Sequence, residues 1–110
     1  MRPLLMTVTA AVLCAAALPA LADLPTFRLV ARDGTFEPAE IVVPAGTKFR
    51  LEIENTGKDP IEFESSELRK EKVLAPGAKS TLVFQALGAG RYRFFDEFHE
   101  ATGQGAIIAR

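Results

Sequence analysis

The chain has 110 residues, 13 Lys and Arg against 14 Asp and Glu, and a formal charge of −1. That balance excludes the strongly basic surface a nucleic-acid binder needs, and the length fits one small domain. The single cysteine, Cys14, leaves no disulfide to be made and excludes thiol chemistry from everything after it.

In chain order, Arg2 precedes an apolar run from Leu4 to Leu18, Pro19 breaks it, and Ala20-Leu21-Ala22 fits a small-x-small cleavage pattern before Asp23. The run falls short of the roughly 20 residues of a transmembrane helix. The pattern predicts a cleaved signal peptide over 1–22, a domain over 23–110 without a membrane span, and export to the periplasm. Cys14 falls inside the leader behind Leu13, where a lipid-anchor signal would place a small residue.

The remainder alternates strands and turns. Thr26 to Arg32 places Phe27, Leu29 and Ala31 on one face, and Asp33-Gly34 is a turn. Glu40 to Pro44 is a short β-branched run. Lys48 to Glu54 sends Phe49, Leu51 and Ile53 inward and its charged residues outward. After the Asn55 to Pro60 loop, Ile61 and Phe63 share one face of a short strand and Glu62 and Glu64 the other. Ser65 to Lys72 is highly charged and reads as a solvated face with room for a capped helical turn. Pro76-Gly77 turns into a strand over Ser80 to Gln85, Gly88-Ala89-Gly90 turns into Arg91 to Phe95, and Gly105 to Ala109 closes the chain. Such frequent strands predict an all-β antiparallel sandwich or barrel. A small domain buries only about 60% of its unfolded surface, yet the aromatic and aliphatic inventory is sufficient for one core without a metal.

One stretch carries chemistry. The only histidine, His99, lies in Phe94-Phe95-Asp96-Glu97-Phe98-His99-Glu100, among three acidic residues. A loop leaving a strand end presents side chains from a rigid platform. Imidazole suits copper, zinc and iron, while carboxylates suit harder ions. Nitrogen and oxygen donors without sulfur point to iron, manganese or Cu(II). A ligand histidine must be neutral, so metal affinity should fall on acidification. Glu62 and Glu64 form a second acidic pair. No Ser/His/Asp arrangement, thiol nucleophile or phosphate-binding glycine loop is present.

The spacing around His99 resembles the metal loop of the cupredoxin family, in which an aromatic strand ends in a Cys ligand, a His follows three residues on, and an axial Met five after that. Asp96 stands at the Cys position, His99 at the His position and Gln104 at the Met position. Phe36-Glu37-Pro38 through Val43-Pro44-Ala45-Gly46-Thr47 resembles the family's upstream strand and turn, and the Asn55 to Pro60 region the one holding its first His ligand. The resemblance implies a cupredoxin-like Greek-key β-sandwich. It is nearest to the cupredoxin-like component of Ftr-type ferrous iron transport systems, and extends to the cupredoxin domain of EfeO-type iron uptake proteins, through Glu37-Pro38, Glu62-Phe63-Glu64 and Ala75-Pro76-Gly77. It implies a metal site drawn from Asp96, His99, Glu62, Glu64 and Gln104, holding iron (Fe2+/Fe3+) or copper (Cu2+). It further implies a periplasmic part in ferrous iron uptake, possible help with Fe(II) oxidation, and two partners: a periplasmic iron-binding protein and an inner-membrane iron permease. The alternative is a Cu(II) carrier or electron-transfer partner. A blue-copper site needs a thiolate, and residues 23–110 have none.

Overall fold

The computed structural model describes residues 2–4, 7–11 and 23–110. The cleavage pattern, Cys14 and most of the apolar run lie outside these residues. Among the described residues no helix is long and apolar enough to cross a membrane.

The strands are β1 (Thr26–Arg32), β2 (Thr35–Glu37), β3 (Glu40–Val43), β4 (Phe49–Asn55), β5 (Ile61–Ser65), β6 (Lys70–Leu74), β7 (Lys79–Phe84), β8 (Gly90–Asp96) and β9 (Gln104–Ala109). They form two sheets, in the orders β2-β1-β4-β7 and β3-β9-β8-β5-β6. The all-β sandwich is as expected, but it is not purely antiparallel. β1 runs parallel to β4, and β3 parallel to β9. The chain leaves one sheet after β1 and β2, lays β3 in the other, and returns before β4. The strand that comes to lie beside β1 therefore arrives in the same direction, without a hairpin.

Alternation places the core. β4 buries Phe49, Leu51 and Ile53 completely, because period-2 side chains of a strand face one side. Phe63 and Phe94 from neighbouring strands of the second sheet meet Phe36 from the first. Their ring centroids are 5.2 Å apart for Phe63–Phe94, 5.3 Å for Phe36–Phe94 and 6.2 Å for Phe36–Phe63. Each such pair adds about 0.5–1.5 kcal/mol to the burial of its rings.

The charged segment from Ser65 to Lys72 differs from its sequence reading. It holds no helical turn: β5 continues to Ser65, a turn spans 66–69, and β6 begins at Lys70. β6 is a sheet edge whose alternation is hidden in charge. Lys70 faces inward, its ammonium 5.5 Å from the centre of the Phe84 ring, a side chain covering apolar surface with its stem. Charged residues on a short edge strand also discourage pairing with another chain.

Phe94 touches both other rings of the aromatic cluster, so Phe94→Ala should lower the free energy of unfolding by about 3–5 kcal/mol. Urea denaturation reads this directly, and a loss below about 1 kcal/mol would show that the cluster does not hold the two sheets together.

Candidate metal centre

Three connections meet at one end of the sandwich. The β1–β2 turn uses Asp33 and Gly34 at φ 48° and 82°, the positive dihedrals of a type I′ hairpin. The β4–β5 loop is clasped by Asn55, which is fully buried. Its Nδ2 donates to the carbonyls of Asp59 (2.8 Å) and Leu74 (3.1 Å), and its Oδ1 accepts from Gly57 N–H (3.0 Å). A Cβ on Gly57 would stand 2.7 Å from the backbone nitrogen of Asp33, so glycine is what lets this loop lie against the turn. The third connection is the β8–β9 loop.

That loop folds on itself. Asp96 N–H donates to Gly103 O (2.7 Å), His99 N–H to Asp96 O (2.9 Å) and Gly103 N–H to His99 O (2.8 Å). Thr102 Oγ1 donates to Gly34 O at 2.6 Å, tying it to the β1–β2 turn. A Cβ on Gly103 would lie 2.7 Å from Asp96 Cβ, which leaves room for glycine alone.

Asp96 is 2% exposed. Its Oδ1 accepts from the backbone N–H of Glu62 and of Phe98, both at 3.0 Å, and its Oδ2 lies 2.7 Å from His99 Nδ1. A buried carboxylate without such donors would be costly; here both oxygens are engaged. The His99 side chain is 28% exposed. Phe98 is 51% exposed and stands at the surface of the loop.

Glu62 and Glu64 leave the opposite face of their strand from Phe63, and Phe63 is paired with Asp96. The acidic pair therefore lies on the outer face of the sheet while Asp96 faces in. Glu97 joins the pair: its N–H donates to Glu62 O at 2.9 Å, which continues the β5–β8 ladder one residue past the strand. Glu62, Glu64 and Glu97 each offer a carboxylate oxygen within 4.8 Å of the others, and among the described residues none forms an ion pair with a Lys or Arg. Gln104 pairs with outward-facing Phe95, is exposed, and donates from Nε2 to Glu100 O at 2.9 Å.

The five candidates thus fall into separate places. Asp96 and His99 form one inward pair, Glu62 and Glu64 stand outside with Glu97, and Gln104 is engaged with its own loop. Glu97 reads from sequence only as a flanking charge. Its signal was parity: Phe95 and Glu97 continue the outward register of β8 past the strand end.

A copper–thiolate centre does not fit these donors. No sulfur is available in residues 23–110, and the residue in the cysteine's place is a buried carboxylate that accepts from two backbone N–H groups and lies 2.7 Å from His99 Nδ1.

Crowding shifts the outer carboxyls. The hydrogen bond to the Glu97 carboxyl, helped by burial and by the charges of Glu97, Glu62 and Glu71, pushes Glu64 up to about 7. Burial first, then Glu97, also raises Glu62. One Glu64 oxygen, Oε2, is enclosed without a hydrogen-bond partner, consistent with a group that resists ionisation. A carboxyl raised in the folded state binds its proton more tightly there than in the unfolded chain. Its contribution is therefore complete below the ordinary value of 4.5 and is lost as pH rises through about 7. The melting temperature of the metal-free protein should fall between these limits, and the slope should flatten in Glu64→Gln. A thermal-shift series in metal-free buffer checks it, and identical slopes in the two proteins would contradict it.

Comparison with known proteins agrees with this architecture. Residues 4–109 match the family model of the cupredoxin-like domain. An uncharacterized protein of Rickettsia prowazekii (strain Madrid E) is 37% identical over 81 residues, covering 74% of this chain and 65% of that protein; the chain thus spans about two thirds of its relative's length. Among solved structures, dithionite-reduced auracyanin from Roseiflexus castenholzii superposes with a TM-score of 0.65 at 18% identity, covering 77% of this chain and 96% of auracyanin. The metal-binding domain of the Cu(I)-exporting P-type ATPase of Streptococcus pneumoniae D39, solved with Cu(I), gives 0.68 at 16% identity over 77% of this chain and 84% of that one. At these identities the two structures speak for the fold alone. The match over nearly the whole chain, together with the two-sheet topology, shows that the protein belongs to the cupredoxin-like domain family.

Proposed function

We propose that this protein is a metal-binding cupredoxin that has exchanged sulfur ligands for oxygen ligands and handles iron during ferrous iron uptake in the periplasm. The observation that carries the reading is the set Glu62, Glu64 and Glu97, three carboxylates within 4.8 Å of one another and without a cationic partner among the described residues. Hard oxygen donors suit iron and manganese better than Cu(I). Such a set also favours Fe(III) over Fe(II), which eases the loss of one electron from bound ferrous iron. The chain supplies no acceptor for that electron, so oxidation calls for a copper-loaded partner; binding and handover do not. In this reading a periplasmic iron-binding protein and an inner-membrane iron permease are the partners.

A second reading, a Cu(II) carrier, is favoured by the partly exposed imidazole of His99, and copper, as Cu(I), is bound by the ATPase domain that shares the fold. The two readings use different side chains.

Calorimetric titration of the metal-free protein with Fe(II) under anaerobic conditions, and with Cu(II), separates them. Fe(II) should bind to the wild type and be lost in the Glu62→Gln, Glu64→Gln, Glu97→Gln triple variant, while His99→Ala retains most of it. Cu(II) binding that survives the triple variant, with no Fe(II) heat in the wild type, would replace the iron reading by the copper one. Fractionation of cells for this protein checks the compartment.

A further inference from the structure

We propose that Asp96 is a positioning residue rather than a ligand: it holds the proton on His99 Nδ1 and so presents Nε2 of His99 as the metal-binding atom of this loop. Three observations carry this. First, the carboxylate is 2% exposed, its Oδ1 already accepts from Glu62 N–H and Phe98 N–H, and its Oδ2 is taken up by His99 Nδ1 at 2.7 Å. An ion reaching it would have to enter the core and strip a charge-assisted hydrogen bond from a buried group, which is costly. Second, a carboxylate accepts and does not donate, so the 2.7 Å contact to Nδ1 places the proton on that nitrogen. Third, the ring cannot swing freely. A Cβ on Gly34 would lie 3.1 Å from His99 Cδ2 and 3.2 Å from Cγ, so the β1–β2 turn backs one side of the imidazole. With Nδ1 on Asp96, Nε2 is the ring nitrogen left with a free lone pair, on a side chain that is 28% exposed.

A metal-bound histidine characteristically donates its other ring N–H to a carboxylate, which fixes the tautomer and raises ligand basicity. The residue in the thiolate's place has therefore moved one bond back from the metal. The tautomer stands on geometry alone; the metal-binding half rests on the second reading above, which uses His99, and not on the acidic set of Glu62, Glu64 and Glu97.

Nuclear magnetic resonance of the 15N-labelled full chain tests it, and the single histidine makes the two ring nitrogens unambiguous. At neutral pH a long-range proton–nitrogen correlation should show Nδ1 protonated and Nε2 bare. Zn(II), a diamagnetic probe of imidazole, should move the Nε2 resonance and leave the Nδ1 proton in place. Asp96→Asn keeps acceptors for the Glu62 and Phe98 N–H groups, while its amide donates toward Nδ1. The tautomer should invert, and Zn(II) affinity should drop about 10–100-fold. A proton on Nε2 in the wild type overturns the inference. So does Zn(II) that displaces the Nδ1 proton, leaves both nitrogens unmoved, or binds Asp96→Asn with unchanged affinity. If Asp96→Asn fails to fold, the wild-type spectra with and without Zn(II) decide. Absence of Fe(II) heat alongside the expected tautomer and Zn(II) shift sinks the iron reading and leaves this one standing.

Discussion

The Asp96 carboxylate is the contact on which the functional end of the molecule depends. An anion with 2% exposure and no Lys or Arg partner among the described residues persists only because N–H groups replace the water it has lost. Those donors come from different places: Glu62 on β5, Phe98 in the β8–β9 loop, and the His99 ring. One side chain thus joins a strand of the sheet to the loop that follows its neighbour. The neighbouring bond from Glu97 N–H to Glu62 O then brings a third carboxyl to the outer pair.

The same arrangement separates two kinds of chemistry across one sheet. Inside are a buried carboxylate and a half-buried imidazole, linked by a hydrogen bond. Outside are three carboxyls with no Lys or Arg partner among the described residues, and two of them, Glu62 and Glu64, are raised by burial and by their acidic neighbours. A site that keeps like charges together is under electrostatic tension, which a proton or a cation relieves. The fold contributes rigidity: β5 and β8 are held between sheet neighbours, and Gly57 and Gly103 let the connections approach more closely than a side chain would allow.

Most of the fold is legible in the residues. The alternation of Phe49, Leu51 and Ile53 against charged neighbours gives β4, and the aromatic positions Phe36, Phe63 and Phe94 are core residues wherever their strands pair. β6 is not legible in the same way. Lys70-Glu71-Lys72-Val73 carries a strand at a sheet edge, where long charged side chains serve on either face and the period-2 signal vanishes. The parallel pairs β1/β4 and β3/β9 also have no local signature, because strand direction depends on where the chain crosses between sheets.

The candidate site divides along the same line. By itself the sequence determined that residues 23–110 have no sulfur donor, that one histidine follows three residues after an acidic group at the end of an aromatic strand, and that Glu62 and Glu64 share a face. These are matters of composition, spacing and parity, which a chain carries with it. Only the tertiary structure decided which of these groups meet. It turned Asp96 inward against three donors, set Glu97 beside Glu62 and Glu64, and left Gln104 on its own loop. Those outcomes follow from β5 lying next to β8 and from the tight return of the β8–β9 loop, where a buried carboxylate must find its hydrogen bonds from whatever backbone the fold brings within reach.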